Sequence, residues 1–193
     1  VNEDIAGALD ALSGGRVCVI PTDTVYGLAV SPAAAGAVEK LFRLKGRPRD
    51  KPIPVLGHDI ASLEGVVTFD ENARRLALKF WPGPLTTVLP RAASFTTDLG
   101  GRGESIAVRV PAHPLALELL RGSGPLAVTS ANRSGEPPLT TAGAAAQFGD
   151  DVYVLDGGPC DGAPSTIVDL TAGGSILREG ALPGPTVLSE LSL

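Results

Sequence analysis

Residues Val17-Cys18-Val19-Ile20 form a wholly apolar run that Pro21 ends. A short apolar run bounded by a breaker reads as a buried strand. Three small hydrogen-bonding residues, Thr22-Asp23-Thr24, stand where the turn must begin, and Val25-Tyr26-Gly27-Leu28 follow. Further on, Lys45-Gly46-Arg47-Pro48 places two cations on a loop stiffened by glycine and proline. A buried strand ending in hydroxyls, with a lysine and an arginine on a nearby loop, is a layout for a small anionic ligand. Loops held by a rigid scaffold are where such sites sit.

The rest of the chain alternates similar segments. Asn2 is placed to cap a first helix with Ile5, Ala8, Leu9 and Leu12 on one face, and Gly14 ends it. Ser31-Pro32 reads as the opening of a second helix, with Val38, Leu41 and Phe42 buried and Lys45 and Arg47 delivered at its end. Helices are also expected at 70–80 and 114–120, and an alanine-rich one capped by Thr140 or Thr141 runs to Phe148. Strands are expected at 53–56, 86–89, 106–110, 126–129, 152–155, 166–170 and 176–178. Strands and helices interleave without a strict βαβ rhythm, which predicts an α/β (α+β) class: a mixed twisted sheet flanked by helices. The 24 glycines and 17 prolines are spread between apolar segments, so residues 1–193 read as a single domain without repeats.

Charge narrows the partners. With 21 acidic against 16 basic residues and 4% aromatics, the chain lacks the basic surplus and stacking surface of a protein that lives on nucleic acid. A local basic pocket remains open to it. No apolar stretch approaches the roughly 20 residues of a membrane span, and no basic-then-apolar leader is visible, so cytoplasmic residence is expected. Cys18 reads as a small core residue, not half of a disulfide with Cys160. The only histidines, His58 and His113, read as packing or surface residues. Walker, dinucleotide-binding, zinc-protease and nucleophile-elbow motifs are all absent.

Four polar clusters close apolar segments: 22–27, 45–48, Ser130-Ala131-Asn132-Arg133-Ser134-Gly135, and Ser165-Thr166-Ile167-Val168-Asp169. Two arginines, Arg109 and Arg178, lie inside or at the end of apolar strands. An unpaired charge in a core costs several kcal/mol, so Arg109 must meet a structural carboxylate or a bound anion. Asp23 and Asp169 are candidates to hold such an arginine.

Taken in order, PTDTVYGL, KGRPRDKPI, WPGPLT, IAVRVP, TSANRSG, STIVDL and LREG resemble the YrdC-like family of threonylcarbamoyl-AMP synthases, over nearly the whole stretch from Val17 to Gly180. The resemblance implies a YrdC-like fold with a concave basic pocket. It implies a reaction in which L-threonine takes up bicarbonate or CO2, and the resulting carboxylate attacks the α-phosphate of ATP to release pyrophosphate. Separate tRNA threonylcarbamoyl-transferase proteins would act downstream, with room for a weak tRNA contact and double-stranded RNA binding. By position, Lys45 and Arg47 match the catalytic basic pair. Thr24, Tyr26, Ser105, Arg109 and Ser165 match contacts to threonine. Arg47, Lys51, Ser130, Asn132, Thr140 and Arg178 match contacts to ATP. Mg2+ is implied with ATP, held by phosphates and water and not by a protein cage. Leu56, Pro164 and Glu179 depart from residues common in the family and bear on the shape of the threonine pocket. The chain also stops soon after Gly180, as the family's short branch does. Two other readings stand beside the synthase: a paralogue with different carbamoyl- or acyl-adenylate chemistry, and an RNA-binding module.

Overall fold

Apolar runs of four to six residues become strands here because each is buried on both faces, and the amphipathic segments between them become the covering helices. In a computed structural model describing residues 3–160 and 162–191, the order is α1 (Glu3–Ser13), β1 (Val17–Ile20), β2 (Gly27–Val30), α2 (Ala37–Lys45), β3 (Val55–Leu56), α3 (Ile60–Leu63), α4 (Glu71–Phe80), β4 (Leu85–Pro90), β5 (Ser105–Arg109), α5 (Pro114–Ser123), β6 (Leu126–Ser130), a 3₁₀ segment (Ala142–Asp151), β7 (Val152–Val154), β8 (Thr166–Asp169), β9 (Ser175–Arg178) and α6 (Gly184–Leu188). Asn2, the expected cap of α1, lies outside the described residues.

The strands form one mixed sheet in the order β7-β1-β2-β6-β3-β5-β4-β8-β9. β1 and β2 are an antiparallel pair with Ile20 opposite Gly27, so the whole Pro21–Tyr26 turn projects from one end of the sheet. β5 lies parallel to β3, with Leu56 beside Arg109, and β4 lies parallel to β8, with Thr86 beside Ile167. Side chains alternate along a strand. Cys18, Ile20, Ala29, Leu126 and Val128 therefore share one face, which α1 and α5 cover with Ile5, Ala8, Leu12, Leu119 and Leu120. Over β5, β4 and β8 that same face forms the floor of a cavity. The opposite face packs against α2 through Val38, Leu41 and Phe42, and against α4 and α6 through Leu76 and Val187.

Three local expectations change. The Ser31-Pro32 signal makes a turn in which Ala34 N donates to Ser31 O, and α2 begins only after Gly36, at φ 73°. The strand expected at 53–56 is cut to Val55–Leu56, since Pro52 and Pro54 have no N–H to give a ladder. The alanine-rich helix is a 3₁₀ segment that kinks at Gly149, φ 68°, and Thr141 makes no side-chain cap.

Candidate active site

The cavity has a volume of about 470 Å³, the size range of a small-molecule site. Its wall begins with the turn after β1. Thr22 Oγ1 accepts from the amides of Thr24 and Val25 and donates to Val25 O at 2.6 Å, so Thr22 builds the turn. That leaves Thr24 Oγ1 facing Arg109, whose Nη1 donates to it at 3.0 Å. Tyr26 is fully buried; its hydroxyl donates to Gly158 O at 2.7 Å and accepts from Gly157 N, and the residue is one of those lining the cavity. Burial raises the Tyr26 phenol above its ordinary value.

Arg109 ends β5 under this turn. Nε donates to Gly83 O at 2.9 Å and Nη2 to Asp23 Oδ1 at 2.6 Å, and Asp23 Oδ1 also accepts from Ala112 N. The choice posed by the sequence is thus met by a structural carboxylate, with the arginine still lining the cavity. Burial lowers the Arg109 guanidinium, and the Asp23 carboxylate works against that. Asp169 serves elsewhere, accepting from Thr171 N and Oγ1 in the β8–β9 turn.

Two more guanidiniums reach the same space. Arg178, from β9, donates to Ser165 O at 2.7 and 3.1 Å and to Ser165 Oγ at 3.1 Å. Arg47 follows the Gly46 cap of α2; it donates to Lys51 O and Pro52 O, with Thr129 Oγ1 at 3.5 Å. Burial lowers both, and Arg109 adds to the effect at Arg178. Among the described residues neither makes an ion pair. Among the described residues three arginines therefore line one cavity and no carboxylate does, the nearby Asp23 being paired with Arg109, in a chain of net charge −5.

Of the residues singled out by sequence, Thr24, Tyr26, Arg47, Arg109, Ser130, Ser165 and Arg178 line the cavity together. The others stand apart from that lining. Ser105 is half-buried at the opposite end of β5 from Arg109, across from Pro90. Lys51 is exposed and reaches the site through its carbonyl on Arg47. Thr140 is exposed, its carbonyl accepting from Cys160 N. Asn132 is buried beside Ser130, whose Oγ donates to Asn132 Oδ1 at 2.6 Å. Lys45 is buried and surrounded by protein oxygens, Ser130 O at 2.6 Å and Asn132 Oδ1 at 2.8 Å among them. Burial and the neighbouring Arg47 push its ammonium down to about 8.

Sequence reasoning missed Thr86. It is buried on β4, lines the cavity, and its Oγ1 lies 2.8 Å from Ser165 Oγ. The signal was a hydroxyl inside an apolar strand, two residues after Pro84. Of the three departures, Leu56 and Pro164 line the cavity. Glu179 turns away and accepts from Gly184 N at 2.9 Å.

The sequence model of the Sua5/YciO/YrdC family, described as telomere recombination, matches residues 10–180. This chain belongs to the Sua5/YciO/YrdC family. A Mycobacterium tuberculosis protein is 46% identical over 193 residues, covering 97% of this chain and 87% of that one. The threonylcarbamoyl-AMP synthase of Klebsiella pneumoniae is 37% identical over 185 residues, covering 93% and 97%. The crystal structure of Pyrococcus abyssi Sua5 complexed with L-threonine superimposes with a TM-score of 0.91 at 37% identity, covering 97% of this chain and 57% of that one. The family members thus share the fold whose sheet face carries the cavity. Relatives from Pyrococcus abyssi and Bacillus subtilis are about twice as long as the part matched, 52% and 49% of each being covered.

Proposed function

We infer that this chain joins L-threonine, bicarbonate or CO2, and ATP into L-threonylcarbamoyl-adenylate, releasing pyrophosphate. The observation that carries the reading is the convergence of Arg47, Arg109 and Arg178 on one cavity that no carboxylate lines among the described residues, Asp23 beside it being already paired. Substrates rich in negative charge fit that imbalance. Among the described residues the cavity lining offers hydroxyls and guanidiniums but no cysteine or histidine for covalent catalysis, which suits a reaction whose nucleophile is part of the substrate.

The chemistry asks two things of the protein. The amine of threonine adds to CO2 and loses a proton, giving an N-carboxylate. One oxygen of that carboxylate then forms a bond to the α-phosphorus of ATP as the bond to the β-phosphate oxygen breaks, and pyrophosphate leaves with the electron pair. Positioning and charge stabilisation dominate such transfers. We assign the carboxylate of threonine to Arg109, held square by Gly83 O and Asp23, with Thr24 and Tyr26 beside it. Arg47 and Arg178 face the phosphates, and Ser130 the nucleotide. Fixed guanidiniums in a mostly apolar cavity stabilise developing phosphate charge more strongly than they would in water.

Among the described residues no three His, Cys, Asp or Glu side chains cluster as metal ligands. We take the divalent ion to enter as MgATP, part of the substrate. The adenylate would pass to transferases that act on tRNA.

Pyrophosphate release from MgATP, with threonine and bicarbonate omitted in turn, tests the reading. Dependence on both is expected. Release without threonine, or a demand for carbamoyl phosphate in its place, defeats it.

A further inference from the structure

Lys45 has three N–H groups, and protein oxygens take all of them. Its Nζ donates to Ser130 O at 2.6 Å, Asn132 Oδ1 at 2.8 Å and Asn132 O at 3.1 Å, with Ser130 Oγ a fourth oxygen at 3.3 Å. Its backbone takes part too, since Ser134 N donates to Lys45 O at 2.9 Å. One residue at the end of α2 thus holds the segment after β6 at two points, 130–132 by its side chain and Ser134 by its carbonyl.

That segment would otherwise be poorly fixed. Residues 133–137 are exposed and contain Gly135 at φ 92°, with Pro137 and Pro138 following. Most of its remaining bonds radiate from the clamped residues: Asn132 Nδ2 donates to Arg133 O and Glu136 O, Ala131 N to Tyr26 O, and Leu139 N to Ala131 O, while Glu136 N donates to Arg133 O within the loop and Tyr26 N to Leu139 O at its far end. The clamped segment supplies Ser130 and Pro138 to the cavity wall, whereas Lys45 itself is 4% exposed and forms no part of it.

We propose that Lys45 is a positioning residue that builds the Ser130–Leu139 wall of the nucleotide cavity and does not grip phosphate. An ammonium with three good acceptors has no proton left for a fourth partner, and turning to a phosphate would leave buried oxygens at Ser130 and Asn132 unsatisfied. Arg47 and Arg178, which do line the cavity, are left as the phosphate partners. The proposal rests on the nucleotide reading for its consequence but not for its geometry.

The two roles separate by experiment. A phosphate ligand contributes more to ATP than to ADP, and more to ADP than to AMP, while a wall-builder contributes equally to all three. Lys45→Met should weaken AMP, ADP and ATP by a common factor of about tenfold, measured by titration calorimetry. Amide hydrogen exchange at Ala131, Ser134, Glu136 and Leu139 should quicken by about tenfold or more, with β4 and β5 amides unchanged. Lys45→Arg should behave the same way, because a planar guanidinium cannot meet a tetrahedral set of oxygens although it binds phosphate well; it carries both readings if the methionine variant does not fold. A loss that grows with the number of phosphates overturns the proposal, as does unchanged exchange in the loop. If the unmodified protein binds none of the three nucleotides, the proposed function falls and the exchange data alone decide the clamp.

Discussion

Asp23 Oδ1 and Arg109 Nη2 meet at 2.6 Å, tying the turn after β1 to the last residue of β5. Both side chains are largely buried, at 16% and 7% exposure. Removing one partner of such a pair leaves a charge uncompensated, and the cost is about 3–5 kcal/mol at full burial. Asp23→Asn should therefore lower stability by about 2–4 kcal/mol in urea unfolding, and raise the KM for threonine more than it lowers kcat. Arg109→Ala should remove a charge-assisted contact of roughly 2–3 kcal/mol and slow turnover about 30- to 150-fold. Unaltered threonine kinetics in folded Asp23→Asn would show that the carboxylate does not aim the arginine.

Gly180 carries a sharper constraint than its neighbours. A Cβ there would collide with the Pro164 carbonyl oxygen and stand 2.5 Å from the Ser165 carbonyl carbon. Those are backbone atoms that no rotamer change can move aside. Ser165 O is also the main acceptor for Arg178. Gly180→Ala should displace the 164–165 segment, cutting kcat/KM by about tenfold or more while helical circular dichroism persists. Full activity in this variant would contradict the assignment of Arg178 and Ser165 to the site.

Glu179 gives the opposite expectation. Its carboxylate is spent on Gly184 N, at the start of α6, away from the cavity. Glu179→Gln should leave turnover within about twofold and cost roughly 0.5–1 kcal/mol, the scale of a weakened hydrogen bond. A change in amino-acid preference would place Glu179 in the pocket after all.

Cys18 supplies a pH dependence of definite sign. Burial pushes its thiol from 9.0 up to about 12, so the folded chain keeps a proton that the unfolded chain loses. The associated stability is fully present below pH 9 and is lost as pH rises from 9 through 12, by up to about 4 kcal/mol. Wild type should therefore lose stability relative to Cys18→Ala as unfolding is followed from pH 8 to pH 11. Native protein at pH 8 should also resist alkylation at Cys18 and accept it there only in denaturant. Equal slopes for the two proteins would refute the assignment.

Much of the fold was legible because burial on both faces leaves an unmistakable apolar run. Val17–Ile20, Ser105–Arg109 and Leu126–Ser130 all became strands near the expected positions. β2 was not foreseen, since Gly27–Val30 follows the site turn directly and nothing local separates it from the loop. Its strand character comes from being held between β1 on one side and β6, a hundred residues on, on the other, as in Gly27 opposite Ile20 and Ser130. Ser31-Pro32 and Thr141 misled for the converse reason: a cap signal is local, and glycines at 36 and 149 redirect the chain.

The chain's residue order determined its chemical inventory: hydroxyls after a buried strand, arginines among apolar neighbours, no histidine or cysteine motif for covalent work, and an ordered set of motifs specific to one family. Tertiary structure alone decided which cations face the cavity. Lys45 and Arg47 are neighbours in sequence, yet one is enclosed by oxygens from residues 85 and 87 positions away and the other opens onto the ligand space. The direction of a charged side chain follows from the acceptors that packing brings to it, and those arrive from strands distant in sequence.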